Sequence, residues 1–151
     1  MKKPLILLSI VSLSLTIYGQ PFVEVKTDLS NTYGGAIAWG DYDKDGSTDL
    51  FLSGVDSLGT WFSKIYHNEN GTLIDINTGL IGLAAGAVAD WGDYDNDGDL
   101  DLLMAGANSS MQGTTKLYRN DNGSFVEVNV GLIGIRDISI LKWGDYNGDK
   151  K

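Results

Sequence analysis

Carboxylates fall at alternating positions in one stretch, Asp41-Tyr42-Asp43-Lys44-Asp45-Gly46-Ser47-Thr48-Asp49. They return in Asp93-Tyr94-Asp95-Asn96-Asp97-Gly98-Asp99-Leu100-Asp101. In both stretches positions 1, 3, 5 and 9 are acidic and position 6 is glycine. Hard anionic oxygens at that spacing, on a backbone free to turn sharply at position 6, suit a divalent cation. Calcium fits best, because it takes about six to eight oxygens in flexible geometry, whereas magnesium holds its waters in a stricter octahedron. The candidate ligands are Asp41, Asp43, Asp45 and Asp49 in the first loop. In the second they are Asp93, Asp95, Asp97 and Asp101. The backbone carbonyls of Ser47 and Asp99, at position 7, are natural further ligands. Two like charges about 4 Å apart repel by roughly 4 kcal/mol at an effective dielectric near ~20. Four converging carboxylates would therefore oppose folding unless a cation neutralised them. An exposed Asp-rich turn without metal is the competing reading, and recurrence in register weighs against it. A weaker third set comprises Asp145, Asn147 and Asp149. There Lys150 stands where glycine is expected, and Lys151 comes before position 9, so a complete third site is not expected.

The loops must be held by strands rather than helices. An EF-hand needs a glutamate at position 12 and flanking helices. Position 12 here is Leu52 or Met104, inside the apolar runs Leu50-Phe51-Leu52 and Leu102-Leu103-Met104. Internal repetition supplies the wider frame. Trp39-Gly40-Asp41-Tyr42 recurs as Trp91-Gly92-Asp93-Tyr94 and as Trp143-Gly144-Asp145-Tyr146, 52 residues apart each time. Lys64–Gly71 pairs with Lys116–Gly123 at the same offset. Phe22–Val25, Leu73–Ile76 and Phe125–Val128 form a third recurring block. Within each repeat, short apolar runs such as Ala36–Trp39, Leu50–Leu52, Ile65–His67 and Leu73–Ile76 are separated by turn residues. Asn70-Gly71 and Asn122-Gly123 are hairpin-turn pairs. About four strands in a repeat of about fifty residues is the size of one propeller blade. A duplicated β-sandwich or a β-solenoid is the alternative of similar repeat size.

The run Trp-Gly-Asp-Tyr-Asp-x-Asp-Gly-x-x-Asp, followed by a strand, resembles the FG-GAP/VCBS repeat, also seen in the propellers of integrin α-subunits. The resemblance covers two full repeats and the beginning of a third. It implies an all-β fold: a partial β-propeller of about two and a half four-stranded blades, with calcium loops between strands. It implies Ca2+ at Asp41, Asp43, Asp45 and Asp49 and at Asp93, Asp95, Asp97 and Asp101, in a bracing role. The expected organisation is a signal peptide at 1–19, a first repeat at 20–71, a second at 72–123 and a truncated third at 124–151. So few blades would leave strand edges bare, so further blades of the same protein or self-association are expected to cover them.

Composition narrows the functional classes. Lys2 and Lys3 precede an apolar stretch from Leu5 to Ile17, and Gly19 suits a cleavage site, so the first nineteen residues read as a secretory signal peptide. A secreted, extracytoplasmic or cell-surface location follows, with no transmembrane segment in the mature chain. The chain carries a net charge of −9, and losing the two lysines takes it to −11. Such acidity disfavours nucleic acid as a partner. There is no cysteine, so no disulfide contributes to stability. The three in-register tryptophans are expected in the core. Trp61, which does not recur, is the better candidate for ligand contact, and His67, the only histidine, is expected at a solvated strand position. Glu24 and Glu127 read as the polar face of a strand. No Ser–His–Asp set, phosphate loop or zinc-type His/Cys cluster is evident. The expectation is a secreted calcium-binding module that binds a protein or glycan. The alternatives are the propeller body of a secreted polysaccharide hydrolase or lyase, and a nonfunctional gene fragment.

Overall fold

The computed structural model describes Thr27, Leu29, residues 31–145 and Gly148. The expected signal segment, the Phe22–Val25 block with Glu24, and Asn147 and Asp149 lie outside the described residues. Every regular element among the described residues is a β-strand. The first sheet contains β1 (Thr32–Tyr33), β2 (Ile37–Gly40), β3 (Asp49–Asp56), β4 (Trp61–Glu69) and β5 (Thr72–Asp75). β2, β3, β4 and β5 run antiparallel in sequence order, and β1 adds a short pairing at the far end of β3. The second sheet repeats the pattern with β6 (Val88–Gly92), β7 (Asp101–Ala107), β8 (Gly113–Asp121) and β9 (Ser124–Val128). These are two successive four-stranded blades of a partial β-propeller, the first carrying the extra β1.

Strand faces explain how the blades stack. Side chains alternate across a strand. Phe51 and Ile65 therefore project from one face of the first blade, and Leu50, Leu52 and Tyr66 from the other. Phe51 and Ile65 share a buried cluster with Leu83, Leu102, Met104 and Tyr118 of the second repeat. Leu50, Leu52 and Tyr66 form a separate cluster with Leu29, Phe62 and Leu73. The Asn70 and Asn122 turns take the left-handed conformation that a tight hairpin demands, with φ of 53° and 52°.

The recurring Trp-Gly pair is an interlock between neighbouring repeats. The Trp91 indole lies on Gly40, where an added Cβ would come within 2.7 Å of its Cδ1. Trp143 lies on Gly92 in the same way, at 2.6 Å. Trp91 Nε1–H donates to the Ala38 carbonyl at 3.3 Å, and Trp143 Nε1–H donates to the Asp90 carbonyl at 3.3 Å. Lys142 Nζ and the Trp143 backbone N–H also reach the Asp90 carboxylate, at 2.6 and 3.2 Å. The third repeat thus begins on the second as the second sits on the first, although Asn129–Asp145 forms no strand. Only part of the core expectation for the tryptophans holds: Trp91 and Trp143 are half-buried, whereas Trp39 is 57% exposed. Each indole covers the glycine of the repeat before it, and among the described residues no such glycine lies under Trp39.

Candidate metal centre

Both acidic loops are β-hairpin connections, which is what brings their ends together. Gly40 pairs with Asp49 across β2 and β3, and Gly92 with Asp101 across β6 and β7. The first carboxylate of each loop therefore leaves one strand where the ninth enters the next. Gly46 and Gly98, at φ 88° and 92°, make the sharp turn between them. In the first loop, ligand oxygens of Asp41, Asp43 and Asp49 lie within 4.8 Å of one another. In the second, those of Asp93, Asp95 and Asp101 do the same. A third set at the same spacing joins Asp43, Asp45 and His67.

The position-9 aspartates are fully buried and tie the loop to the sheet. Asp49 Oδ2 accepts from Tyr42 N–H at 3.1 Å, and Oδ1 from Asn68 N–H at 2.8 Å. Asp101 repeats this with Tyr94 N–H at 2.6 Å and Asn120 N–H at 2.8 Å. Burial pushes both carboxyls above the usual carboxylate range, and the two backbone donors only partly offset it. Position 1 caps the turn: Gly46 N–H donates to Asp41 and Gly98 N–H to Asp93, at 3.1 and 2.9 Å. Asp41 Oδ1 is left buried with no hydrogen-bond partner. A buried carboxylate oxygen without a donor costs free energy unless a cation meets it. Burial, followed by Asp43, Asp49 and Asp45, pushes the Tyr42 phenol up to about 12.

The remaining candidates divide. Asp45 Oδ1 accepts from Ser47 N–H at 2.6 Å, and Asp97 Oδ1 from Asp99 N–H at 2.8 Å. Asp97 is outside the converging triad. The Asp99 side chain points to the neighbouring repeat, where Lys44 Nζ sits 2.5 Å from Oδ1. Lys44 and Asn122 N–H hold its carboxyl below the usual range. Any part Asp99 plays as a ligand therefore falls to its backbone carbonyl. Asp145 accepts from Gly148 N–H at 2.6 Å.

Two features escaped sequence reasoning. His67 is not a solvated strand residue, because β4 carries it over the first loop. Its Nδ1 is buried, 3.1 Å from Asp43 Oδ2 and 3.3 Å from Asp49 Oδ1. Neither approach has the alignment of a hydrogen bond. Asn120 is fully buried and spans the blades: Nδ2–H donates to the Tyr42 carbonyl at 2.8 Å and to the Leu100 carbonyl at 3.1 Å. Its Oδ1 accepts from Gly123 N–H at 2.7 Å. The recurring block Lys64–Gly71 and Lys116–Gly123 was the available signal, but its role depends on a partner 78 residues away.

The FG-GAP-like repeat model matches residues 41–104 and 93–151. The chain belongs to the FG-GAP-like repeat family. Both matches begin at the first carboxylate of an acidic loop, and together they span the two complete loops and the start of the third. FG-GAP-like repeats build propeller-type modules and often bind calcium, and this chain has the acidic clusters to hold a metal. No curated protein and no solved structure matches the chain. The donor set suits calcium: carboxylate oxygens converge, position 6 turns the backbone, and one buried oxygen lacks a donor. Asp41, Asp43 and Asp49 would hold the ion in one blade, and Asp93, Asp95 and Asp101 in the next.

Proposed function

We propose that this chain is a secreted, calcium-braced propeller module that binds a protein or glycan. The observation carrying the calcium reading is the repeated triad of position-1, -3 and -9 carboxylates, with a buried oxygen of Asp41 lacking any donor. Calcium supplies the positive charge that lets the β2–β3 and β6–β7 hairpins keep their carboxylates together. The ions brace the blades, since the loops lie on the blade–blade contact: Tyr42 stacks on Trp91 with ring centroids 6.3 Å apart, and Lys44 meets Asp99. Extracellular calcium is millimolar, so sites of modest affinity would be filled there. The apolar stretch after Lys2 and Lys3 supports export.

A groove of about 310 Å³ is a candidate place for a ligand. Trp61 and Phe62, adjacent on β4, both line it, with the polar groups of Lys64, Asp75 and Asn77. An aromatic residue such as Trp61 beside such polar groups suits a sugar ring or an extended peptide. Chelation tests the metal part: excess chelator should lower the melting temperature and added calcium should restore it. Identical melting curves would remove the metal reading. Glycan-array binding that is lost in Trp61→Ala tests the groove, and an unaltered binding profile would discard it.

A further inference from the structure

The two loops differ in one donor. At the β4 position facing the first loop stands His67, and at the matching β8 position stands Arg119. Arg119 turns along its strand and pairs with Asp121, Nε to Oδ1 and Nη2 to Oδ2, both at 2.8 Å. The second loop is left with oxygen donors alone. His67 instead presents Nδ1 to the acidic cluster of the first loop. The edge-on packing of the Tyr42 ring against the imidazole, at 6.4 Å and 76°, helps to hold it there. The next residue, Asn68, donates its N–H to Asp49, so the strand segment that fixes Asp49 also fixes the histidine.

The spacing fits a shared ion. Ligands at about 2.1 Å from a transition-metal dication lie roughly 3.0 to 3.4 Å apart at angles between square and tetrahedral. Nδ1 lies 3.1 and 3.3 Å from the two carboxylate oxygens. Imidazole with carboxylates suits first-row transition dications, whereas carboxylates and carbonyls alone suit calcium.

Resting on the reading that both loops hold divalent cations, we propose that the sites are chemically distinct. The first, which calcium fills when it is the one dication present, prefers a first-row transition dication held by His67, Asp43 and its neighbouring carboxylates. The second remains a calcium site.

His67 is the only histidine, so its ring gives a single assignable set of nitrogen resonances in an untagged chain. The test is a Zn2+ titration of the full chain in about 1 mM Ca2+, followed on those resonances and by calorimetry. One equivalent of Zn2+ should move Nδ1 to a metal-bound shift. His67→Arg, which installs the residue of the second loop, should weaken zinc binding at least ~10-fold and leave calcium binding at the second loop intact. His67→Gln serves as a second variant should the arginine disturb folding. Ring resonances unmoved by Zn2+, or variants that bind zinc as the parent does, would overturn the proposal. Calcium binding at both loops with no zinc effect on His67 defeats this proposal and leaves the calcium module standing. No binding of either ion defeats both.

Discussion

Asp95→Asn and Asp101→Asn remove one negative charge each from the same loop, yet they should behave differently. Asp101 is buried, and both its oxygens accept backbone N–H groups, from Tyr94 at 2.6 Å and from Asn120 at 2.8 Å. An amide there keeps one acceptor and turns a donor toward the other N–H. Losing a charged acceptor and leaving a buried donor unpaired costs about 3 kcal/mol. Burial already penalises the ionised carboxyl, so neutralising it returns part of that and leaves about 2 kcal/mol net. For a chain of this size that is a fall of roughly 4 to 8 °C in melting temperature with calcium chelated. Asp95 is exposed and carries no backbone hydrogen bond among the described residues. Asp95→Asn should leave the chelated melting temperature within about 1 °C, as surface changes do. Calcium at ~1 mM and a Kd near ~0.1 mM adds about 1.4 kcal/mol per site, or roughly 3 to 6 °C. Asp95→Asn should lose the second loop's share of that gain. The assay is thermal melting by circular dichroism, in chelator and in calcium, for the parent and both variants. A full calcium-dependent gain in Asp95→Asn would refute the ligand assignment. An unchanged chelated melting temperature in Asp101→Asn would refute its role as the tie between loop and sheet.

Other expectations follow from the same contacts. Gly92→Ala should cost about 1 to 3 kcal/mol, because its Cβ would press on Trp143, while Gly144→Ala, which meets nothing within 4 Å, should be near neutral in the same melts. Asn120→Ala should cost about 3 kcal/mol by urea denaturation, since it strands the buried Tyr42 carbonyl and the half-buried Leu100 carbonyl, whereas Asn68→Ala should cost less because its side-chain bonds are exposed. The folded pKa values of Asp49 and Asp101 are raised, so the calcium-free chain gains stability as pH falls from above those values toward the ordinary carboxylate range. Protons and calcium compete for the same oxygens, so the calcium-induced rise in melting temperature should shrink over that window. A rise independent of pH would contradict the assignment.

The repeat period, the strand-borne loops and the carboxylates at positions 1, 3 and 9 could all be read from the sequence, because each is a local pattern recurring at one offset. The double duty of Asp49 and Asp101 could not. Spacing marks them as ligands, but one backbone donor of each, from Asn68 and Asn120, lies 19 residues away through strand register. His67 was misjudged for the same reason: alternation along β4 says which face it takes, not that the face overhangs an acidic loop. Trp39 carries the repeat signature yet is exposed, because an interlock needs a glycine partner and a motif shows only one half. Position 7 is read as a backbone-carbonyl ligand, and the spacing says nothing of the Asp99 side chain, which is drawn across the blade boundary by Lys44, a contact set by how the repeats stack.

Direct titration of the chelator-stripped chain with Ca2+ by calorimetry is the decisive measurement. Two cation sites are expected in the parent, one after Asp95→Asn, and none when Asp43→Asn is added. Heat no greater than that of dilution, or stoichiometry unmoved by those substitutions, would contradict the assignment of the paired loops.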